Sequence, residues 1–95
     1  MTRARLSRLK RRMSGLRARS AGIRTRELVS IAVALGRRRS KRGDEPTYLS
    51  DSFPDLRPLT IPSHSRPLKR GTALNILDQL EQDVIAWEQV LEKVQ

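Results

Sequence analysis

The sequence predicts an α+β protein with the element order α-β-β-β-α, in which helices pack on one face of a three-stranded antiparallel sheet. Three observations predict this class. An apolar helical segment covers residues 23–35, short strand-like segments bounded by Gly and Pro follow, and a seven-residue apolar repeat begins at residue 73. The 95 residues suffice for one such domain with a modest core. We therefore divide the chain into a basic N-terminal arm (1–22) and a folded domain (23–95).

Charge is distributed unevenly along the chain. The sequence holds 20 Lys and Arg against 10 Asp and Glu, a formal net charge of +10, and its first 24 residues contain no acid. Such a chain is expected to meet an anionic partner. The absence of cysteine excludes a disulfide scaffold, a zinc ribbon and a thiol nucleophile. The longest nearly apolar run, residues 31–35, is far too short to span a bilayer, so we expect a cytoplasmic protein with no membrane partner.

The N-terminal arm contains one weak helical signal. Leu6, Leu9, Met13 and Leu16 recur at spacings of three, four and three, which is compatible with an amphipathic helix. A block of like charges is more often a solvated tail, so disorder is the main expectation and a helix the alternative. Contact with RNA or anionic lipid, and organelle targeting, are further alternatives for this arm.

The first helix of the domain is predicted over residues 23–35. Thr25 is a suitable N-cap, Glu27 lies in the first turn where the helix dipole favours an acid, and Gly36 suits a left-handed C′ position. The segment is apolar nearly all round. A helix of that kind must be covered on more than one side, either by this fold or by a partner protein.

Three short strands are predicted next. Residues 37–42 (Arg-Arg-Arg-Ser-Lys-Arg) have no apolar alternation, which indicates an edge strand. Residues 47–49 form the second strand and residues 58–62 the third, with Leu59 and Ile61 on one face and prolines at its ends. Together they predict an antiparallel meander.

A long helix is predicted over residues 73–94, with Thr72 as its N-cap. We expect its first half to pack on the sheet. A helix of about 22 residues is about 33 Å long, more than so small a domain covers, so its second half around Trp87 and Leu91 is predicted to contact another chain. The apolar repeat comprises Ala73, Leu77, Leu80, Val84, Trp87, Leu91 and Val94.

The single histidine, His64, is the first candidate for catalysis. A lone histidine is usually a surface or structural residue, but this one lies in a polar loop near Arg66, Lys69 and Arg70. A neutral imidazole there can accept the proton of a ribose 2′-hydroxyl while the cations hold the phosphate. The scattered acids and the lack of a second histidine predict no metal site, and no cofactor is expected.

The basic run is the second candidate site. Such a run is often a solvated face, but five cations in six residues repel one another unless phosphates neutralise them. Aromatic residues make up only 3% of the chain, so base stacking is not expected. Contact with the backbone and shape of RNA is expected instead. The predicted RNA-binding residues are Arg37, Arg38, Arg39, Lys41, Arg42, Arg66, Lys69 and Arg70.

The order of these motifs resembles the HicA-type mRNA interferase toxins. The resemblance covers residues 25–83 and is best in the last third, where Ile-Pro-Ser-His-Ser and Lys-Arg-Gly-Thr occur together. It implies a fold similar to double-stranded RNA-binding domains, cleavage of mRNA without a metal, and neutralisation by a partner antitoxin. The matching residues are Glu27-Leu28, Gly36, Arg42-Gly43, Tyr48, Leu59 to Pro62, His64-Ser65 and Leu68 to Leu77.

One position departs from the family pattern. The family's second strand begins Gly-Ser-His-x-x-aromatic, and the resemblance implies that this histidine is catalytic. Here Gly43 and Tyr48 keep their spacing, but Glu45 stands in the place of the histidine. Three outcomes stay open: Glu45 is the base, His64 has taken over that role, or the protein binds RNA and a partner without cutting.

The sequence therefore predicts the toxin component of a type II toxin–antitoxin module, an endoribonuclease that acts on mRNA and forms a hetero-oligomer with its antitoxin. Cleavage is expected by attack of a 2′-hydroxyl on the adjacent phosphate, with His64 or Glu45 as base and the arginines stabilising the developing charge. The alternative is a non-catalytic RNA-binding or regulatory protein of the same fold.

Overall fold

A computed structural model describes residues 1–19, 21–41, 45–63 and 65–93. It has the predicted α+β class and the three-stranded antiparallel sheet, together with one additional helix at the N-terminus. Arg42, His64 and Val94, which carry predictions above, lie outside the described residues. The elements are α1 (Arg3–Ala18), α2 (Thr25–Ala34), β1 (Arg37–Arg39), β2 (Thr47–Ser50), β3 (Leu59–Thr60) and α3 (Arg70–Lys93).

The sheet is the predicted meander, with strand order β1-β2-β3 and both pairs antiparallel. Arg37 lies opposite Ser50, and Tyr48 lies between Arg39 and Leu59. Since side chains alternate along a strand, these residues share one face. Four of the five are buried, so this face lies on the core and the opposite face meets solvent.

Helix α2 begins at Thr25 and is capped differently from the prediction. Arg24, not Thr25, occupies the N-cap position, and its backbone N–H donates to Glu27 Oε2 at 2.8 Å. The Thr25 hydroxyl instead donates to the carbonyl of Pro62 at 2.6 Å, which fixes the start of α2 to the end of β3. The C-terminal prediction is confirmed, because Gly36 has φ +103° and follows the C-cap residue Leu35.

Helix α1 belongs to the hydrophobic core. Its stripe of Leu6, Leu9, Met13 and Leu16 is buried and forms one cluster with the core residues of α2, α3 and the sheet. The expected disordered tail is therefore wrong for residues 3–18, and the helical alternative holds. The stripe is visible in the sequence, but four apolar residues do not reveal the surface that will cover them.

Helix α3 begins at Arg70, so Thr72 lies within its first turn and the predicted N-cap at Thr72 is wrong. α1 runs antiparallel to α3, because Lys10 pairs with Glu88 at 3.1 Å and Arg17 pairs with Asp78 at 2.8 Å. The basic start of the chain thus lies on its acidic end. None of the described helices is long and apolar enough to cross a membrane.

Candidate nucleic-acid interface

The meander brings three strand ends side by side to one edge of the sheet, meaning the edge at which the strands end and the loops begin. The chain leaves β1 at this edge, enters β2 and later leaves β3 there. Two backbone hydrogen bonds extend the pairing, from Ser40 N to Thr47 O at 2.7 Å and from Ile61 N to Pro46 O at 3.1 Å. Among the described site residues, Lys41 follows β1, Glu45 precedes β2 and Arg66 follows β3, so the fold brings these three segments to this edge.

A recess of about 400 Å³ lies where β1 ends and β2 begins. It is lined by Arg39, Ser40, Lys41 and Glu45, and the side chains of Arg39, Lys41 and Glu45 are exposed. The fold thus places the candidate base Glu45 beside two predicted RNA-binding cations. A carboxylate next to exposed cations can approach a phosphodiester that those cations hold.

A second recess of about 290 Å³ follows the end of β3, where Pro62, Arg66 and Lys69 are among the lining residues. Pro62 comes directly after Ile61, the residue that pairs with Pro46, so the two recesses lie at the same edge of the sheet. We name the exposed cations of this edge the basic end: Arg39, Lys41, Arg66, Lys69 and Arg70.

The loop that carries Arg66 is fixed to the start of α2. Arg24 Nη1 donates to the carbonyl of Ser65 at 2.9 Å, and Leu68 N donates to the carbonyl of Ile23 at 2.8 Å. Sequence reasoning missed Arg24, because a contact across 41 residues leaves no local pattern. These bonds hold residues 65–68 against the start of α2.

Arg37 does not belong to this interface. Its guanidinium forms a bidentate ion pair with Asp83 and donates to the carbonyls of Tyr48 and Arg57. The side chains of Arg37 and Asp83 are 2% and 1% exposed. The prediction that Arg37 binds RNA is wrong in this structure, because all its donors are directed into the protein.

Arg38 lies on the opposite face of β1 from Arg37, as the alternation of a strand requires. Its Nε donates to Asp51 Oδ2 at 2.6 Å, and both side chains are more than half exposed. The hydrogen bond and charge of Asp51 raise the pKa of Arg38 above its usual value. Arg38 is therefore accessible to RNA, but on the outer face of the sheet and in competition with Asp51.

The predicted partner-binding residues have contacts within the chain. Trp87 Nε1 donates to the carbonyl of Leu35 at 2.7 Å, and its ring packs edge-on against Phe53 at 4.8 Å between centroids. Leu91 is half-buried and lines a groove of about 470 Å³ between α1 and α3, together with Ile85 and Glu88. Much of the predicted partner surface is therefore covered by α1 and by the loop after β2.

Within the residues that the structure describes, no group of three or more His, Cys, Asp or Glu side chains is placed to hold a metal ion. Comparison of the chain with protein-family models, curated proteins and solved structures gives no significant match. The resemblance to HicA-type toxins therefore stays a prediction that depends on the motifs themselves.

Proposed function

We propose that this protein is a HicA-like mRNA interferase toxin that binds the RNA backbone at its basic end and acts in the cytoplasm. The observation that carries the proposal is the shared recess of Glu45, Arg39 and Lys41 at the edge where β3 also ends. Ile61 and Pro62, which begin the Ile-Pro-Ser-His-Ser motif, lie at that edge and support it further. Cations and a candidate base then lie within reach of one phosphodiester.

Binding at this edge depends on charge. Arginine and lysine side chains hold phosphate oxygens and displace counterions, so affinity falls as salt rises. If five to seven phosphates are contacted, the log–log slope of affinity against salt is expected at about −3.5 to −6. Few aromatic residues are present, so contact with bases by stacking adds little.

The proposed reaction is an internal phosphoryl transfer. The base, Glu45 or His64, takes the proton from a ribose 2′-oxygen, which forms a bond to the adjacent phosphorus. The bond from phosphorus to the 5′-oxygen breaks, and that oxygen leaves with a proton supplied by an acid or by water. The products are a 2′,3′-cyclic phosphate and a 5′-hydroxyl, and cations of the basic end offset the charge that develops on the phosphate oxygens.

The second candidate is a non-catalytic RNA-binding protein of the same fold. The exposure of Glu45 favours it, because an exposed carboxylate is a weak acceptor of a hydroxyl proton at neutral pH. Loss of a general base typically lowers a rate by about 10²- to 10⁴-fold. Binding without measurable cleavage is then the expected behaviour.

Cleavage of labelled mRNA by purified protein separates the two candidates. We compare the wild type with Glu45→Gln, His64→Ala and the double variant, and use Asp55→Asn as the control because Asp55 is an exposed acid in the loop between β2 and β3. Substitution of the residue that acts as base should lower cleavage by about 10²- to 10⁴-fold without weakening RNA binding. Full activity in the double variant rejects both residues as the base. If the wild-type protein binds RNA tightly and does not cleave it, the second candidate is supported.

A salt titration of RNA affinity tests the interface itself. In Arg39→Gln/Lys41→Gln/Lys69→Gln the log–log slope should shrink by about 2 to 3, since each lost phosphate contact removes about one unit or slightly less. The control, Lys10→Gln/Arg17→Gln, removes cations that already pair with acids of α3. A wild-type slope near zero rejects RNA binding for both candidates.

We also propose that the antitoxin contacts the groove between α1 and α3. Ile85 is 44% exposed beside half-buried Leu91, so an apolar side chain of a partner gains contact there. Ile85→Asp should weaken capture of the protein encoded by the neighbouring gene and leave RNA affinity unchanged. If the Ile85→Asp variant captures that protein as well as the wild type does, the antitoxin does not bind in this groove.

A further inference from the structure

We infer that the exposed arginines of α1 form a second contact surface for RNA phosphates, separate from the basic end. This α1 arginine face consists of Arg5, Arg8 and Arg11. The inference depends on the proposed binding of RNA, but it does not depend on cleavage. No residue of α1 belongs to the basic end.

The cations of α1 fall into groups with different neighbours. Lys10 and Arg17 lie on the side of α3, where Glu88 and Asp78 neutralise them. These cations already have counterions, so they have less to gain from a phosphate.

On the other side, α1 faces α2. Arg12 Nη2 donates to Ser30 Oγ at 3.1 Å, and Arg19 pairs with Glu27 at 2.6 Å. Arg12 has no counterion among the residues that the structure describes, whereas Arg19 is paired with an acid. The residues of α2 therefore neutralise only part of the positive charge on this side of α1.

The α1 arginine face has neither kind of neighbour. Arg5, Arg8 and Arg11 are exposed, and none of their side chains makes a hydrogen bond or ion pair with a residue that the structure describes. Helix α1 contains no acid to offset them. Adjacent uncompensated cations on one helix repel one another, and an external polyanion removes that repulsion.

The spacing of these arginines suits a row of phosphates. They recur every three residues, which is about 4.5 Å along a helix. A strand of duplex DNA carries one charge per about 3.4 Å of helix axis, and a strand of duplex RNA is charged to a similar density. A strand that lies along α1 can therefore place a phosphate near each guanidinium, and a guanidinium binds phosphate with two parallel donors.

The burial of α1 favours RNA over a membrane surface. A helix that binds a bilayer interface inserts an apolar face into it. In α1 all four large apolar side chains, Leu6, Leu9, Met13 and Leu16, are buried in the protein core. Only charge and hydrogen bonding are left for its outer surface, and both suit a phosphodiester backbone.

The chain path connects the two surfaces. Arg19, just after α1, donates through Nη2 to the carbonyl of Gly22 at 2.6 Å. Arg24, two residues after Gly22, contacts the loop of the basic end. The C-terminal end of α1 thus lies near the start of α2, and α1 extends from there by about 24 Å. An RNA that is longer than the basic end can reach the α1 arginine face.

The test compares two sets of substitutions on the same helix. Arg5→Gln/Arg8→Gln/Arg11→Gln removes the face, and Lys10→Gln/Arg17→Gln removes neutralised cations as the control. Glutamine keeps nearly the helix propensity of arginine. Affinity is measured against salt with a 2′-O-methylated RNA duplex of roughly 16 base pairs, the span of a double-stranded RNA-binding domain, and with a duplex of half that length.

We expect the triple variant to shrink the log–log slope by about 2 to 3 on the long duplex, and by less than one on the short duplex. The control should change either slope by less than about one unit. If the triple variant binds the long duplex with the wild-type slope, the inference is overturned.

The variant Arg39→Gln/Lys41→Gln/Lys69→Gln separates this inference from the proposed function. If only that variant weakens binding, the basic end is supported and the α1 arginine face is rejected. If only the α1 triple variant weakens binding, the inference holds and the proposed interface is rejected. Wild-type protein that binds anionic vesicles but no RNA, with vesicle binding lost in the triple variant, overturns the inference in favour of a membrane surface.

Discussion

Arg37 and Asp83 form a bidentate ion pair inside the protein, with Nε 2.7 Å from Oδ2 and Nη2 2.9 Å from Oδ1. The pair joins the first strand to the last helix. The remaining Nη1 donors reach the carbonyls of Tyr48 and Arg57, so the guanidinium also holds β2 and the segment before β3. A buried charge requires a counterion and hydrogen-bond partners of this kind.

Removal of one partner of this pair should therefore be costly. Asp83→Ala leaves a buried guanidinium without its counterion, and we expect the free energy of unfolding to fall by about 3 to 5 kcal/mol. Urea denaturation measures the change. Asp51→Ala is the control, because the pair of Asp51 with Arg38 is exposed and screened by solvent, so its loss is expected to change stability far less. Equal losses in the two variants would contradict the role given to Arg37.

A second prediction concerns the place of α1 in the core. Met13 is 1% exposed, and Met13→Ala should lower the free energy of unfolding by about 2 to 5 kcal/mol through lost burial and a cavity. Arg11→Ala, on the exposed side of the same helix, should change it by less than about 0.5 kcal/mol. If α1 were a solvated tail, both substitutions would leave thermal and urea unfolding unchanged.

Two glycines should respond to alanine with opposite signs. Gly36 has φ +103°, which an L-residue rarely adopts, so Gly36→Ala should cost about 1 to 2 kcal/mol. The nearest atom to an added Cβ, Trp87 Cζ2, is 3.7 Å away, so space is not the cause. Gly15 lies inside α1 with nothing within 4 Å of an added Cβ. Gly15→Ala should raise stability by about 0.5 to 1 kcal/mol, and a loss there would refute the helical assignment at this position.

Glu27 gives a prediction about pH. The backbone N–H of Arg24, and next the guanidinium of Arg19, favour its charged form and lower its pKa below the ordinary value of 4.5. A pKa lowered by folding adds stability that is complete above the carboxyl range of the unfolded chain. That stability is lost as pH falls below about 4.5 through the lower folded pKa.

Glu27→Gln should therefore cost about 1 kcal/mol at neutral pH, a typical contribution for a side chain that caps a helix start. The difference from the wild type should be smaller at a pH below 4.5 than at neutral pH, because the carboxyl is increasingly protonated as the pH falls. Urea denaturation at both pH values measures it. A cost that is the same at both would mean that packing, not the charge of Glu27, is responsible.

The sequence predicted those parts of the fold that local patterns determine. Gly36 ends α2 because only glycine tolerates the required φ, and Leu59 and Ile61 mark β3 between prolines. The predicted start of α3 is wrong, because the helix begins at Arg70, two residues before the N-cap expected at Thr72. Capping residues in a sequence define a helix end only to within one or two residues.

The candidate site was predictable only in part. The meander topology follows from short strands and turns, and it alone brings Glu45 next to Arg39 and Lys41. The fate of Arg37 was not predictable, because its partner Asp83 is 46 residues away and nothing in the arginine run distinguishes an inward residue from its neighbours. Tertiary pairing decides such cases.

The two outer strands of the sheet have a consequence for behaviour in concentrated solution. β1 carries two exposed arginines, and β3 is only two residues long with a proline before it and another soon after it. Charge, brevity and proline are the devices by which natural sheets prevent strands of other molecules from adding to them. Neither rim of this sheet is therefore a template for fibril growth, even though the sheet has only three strands.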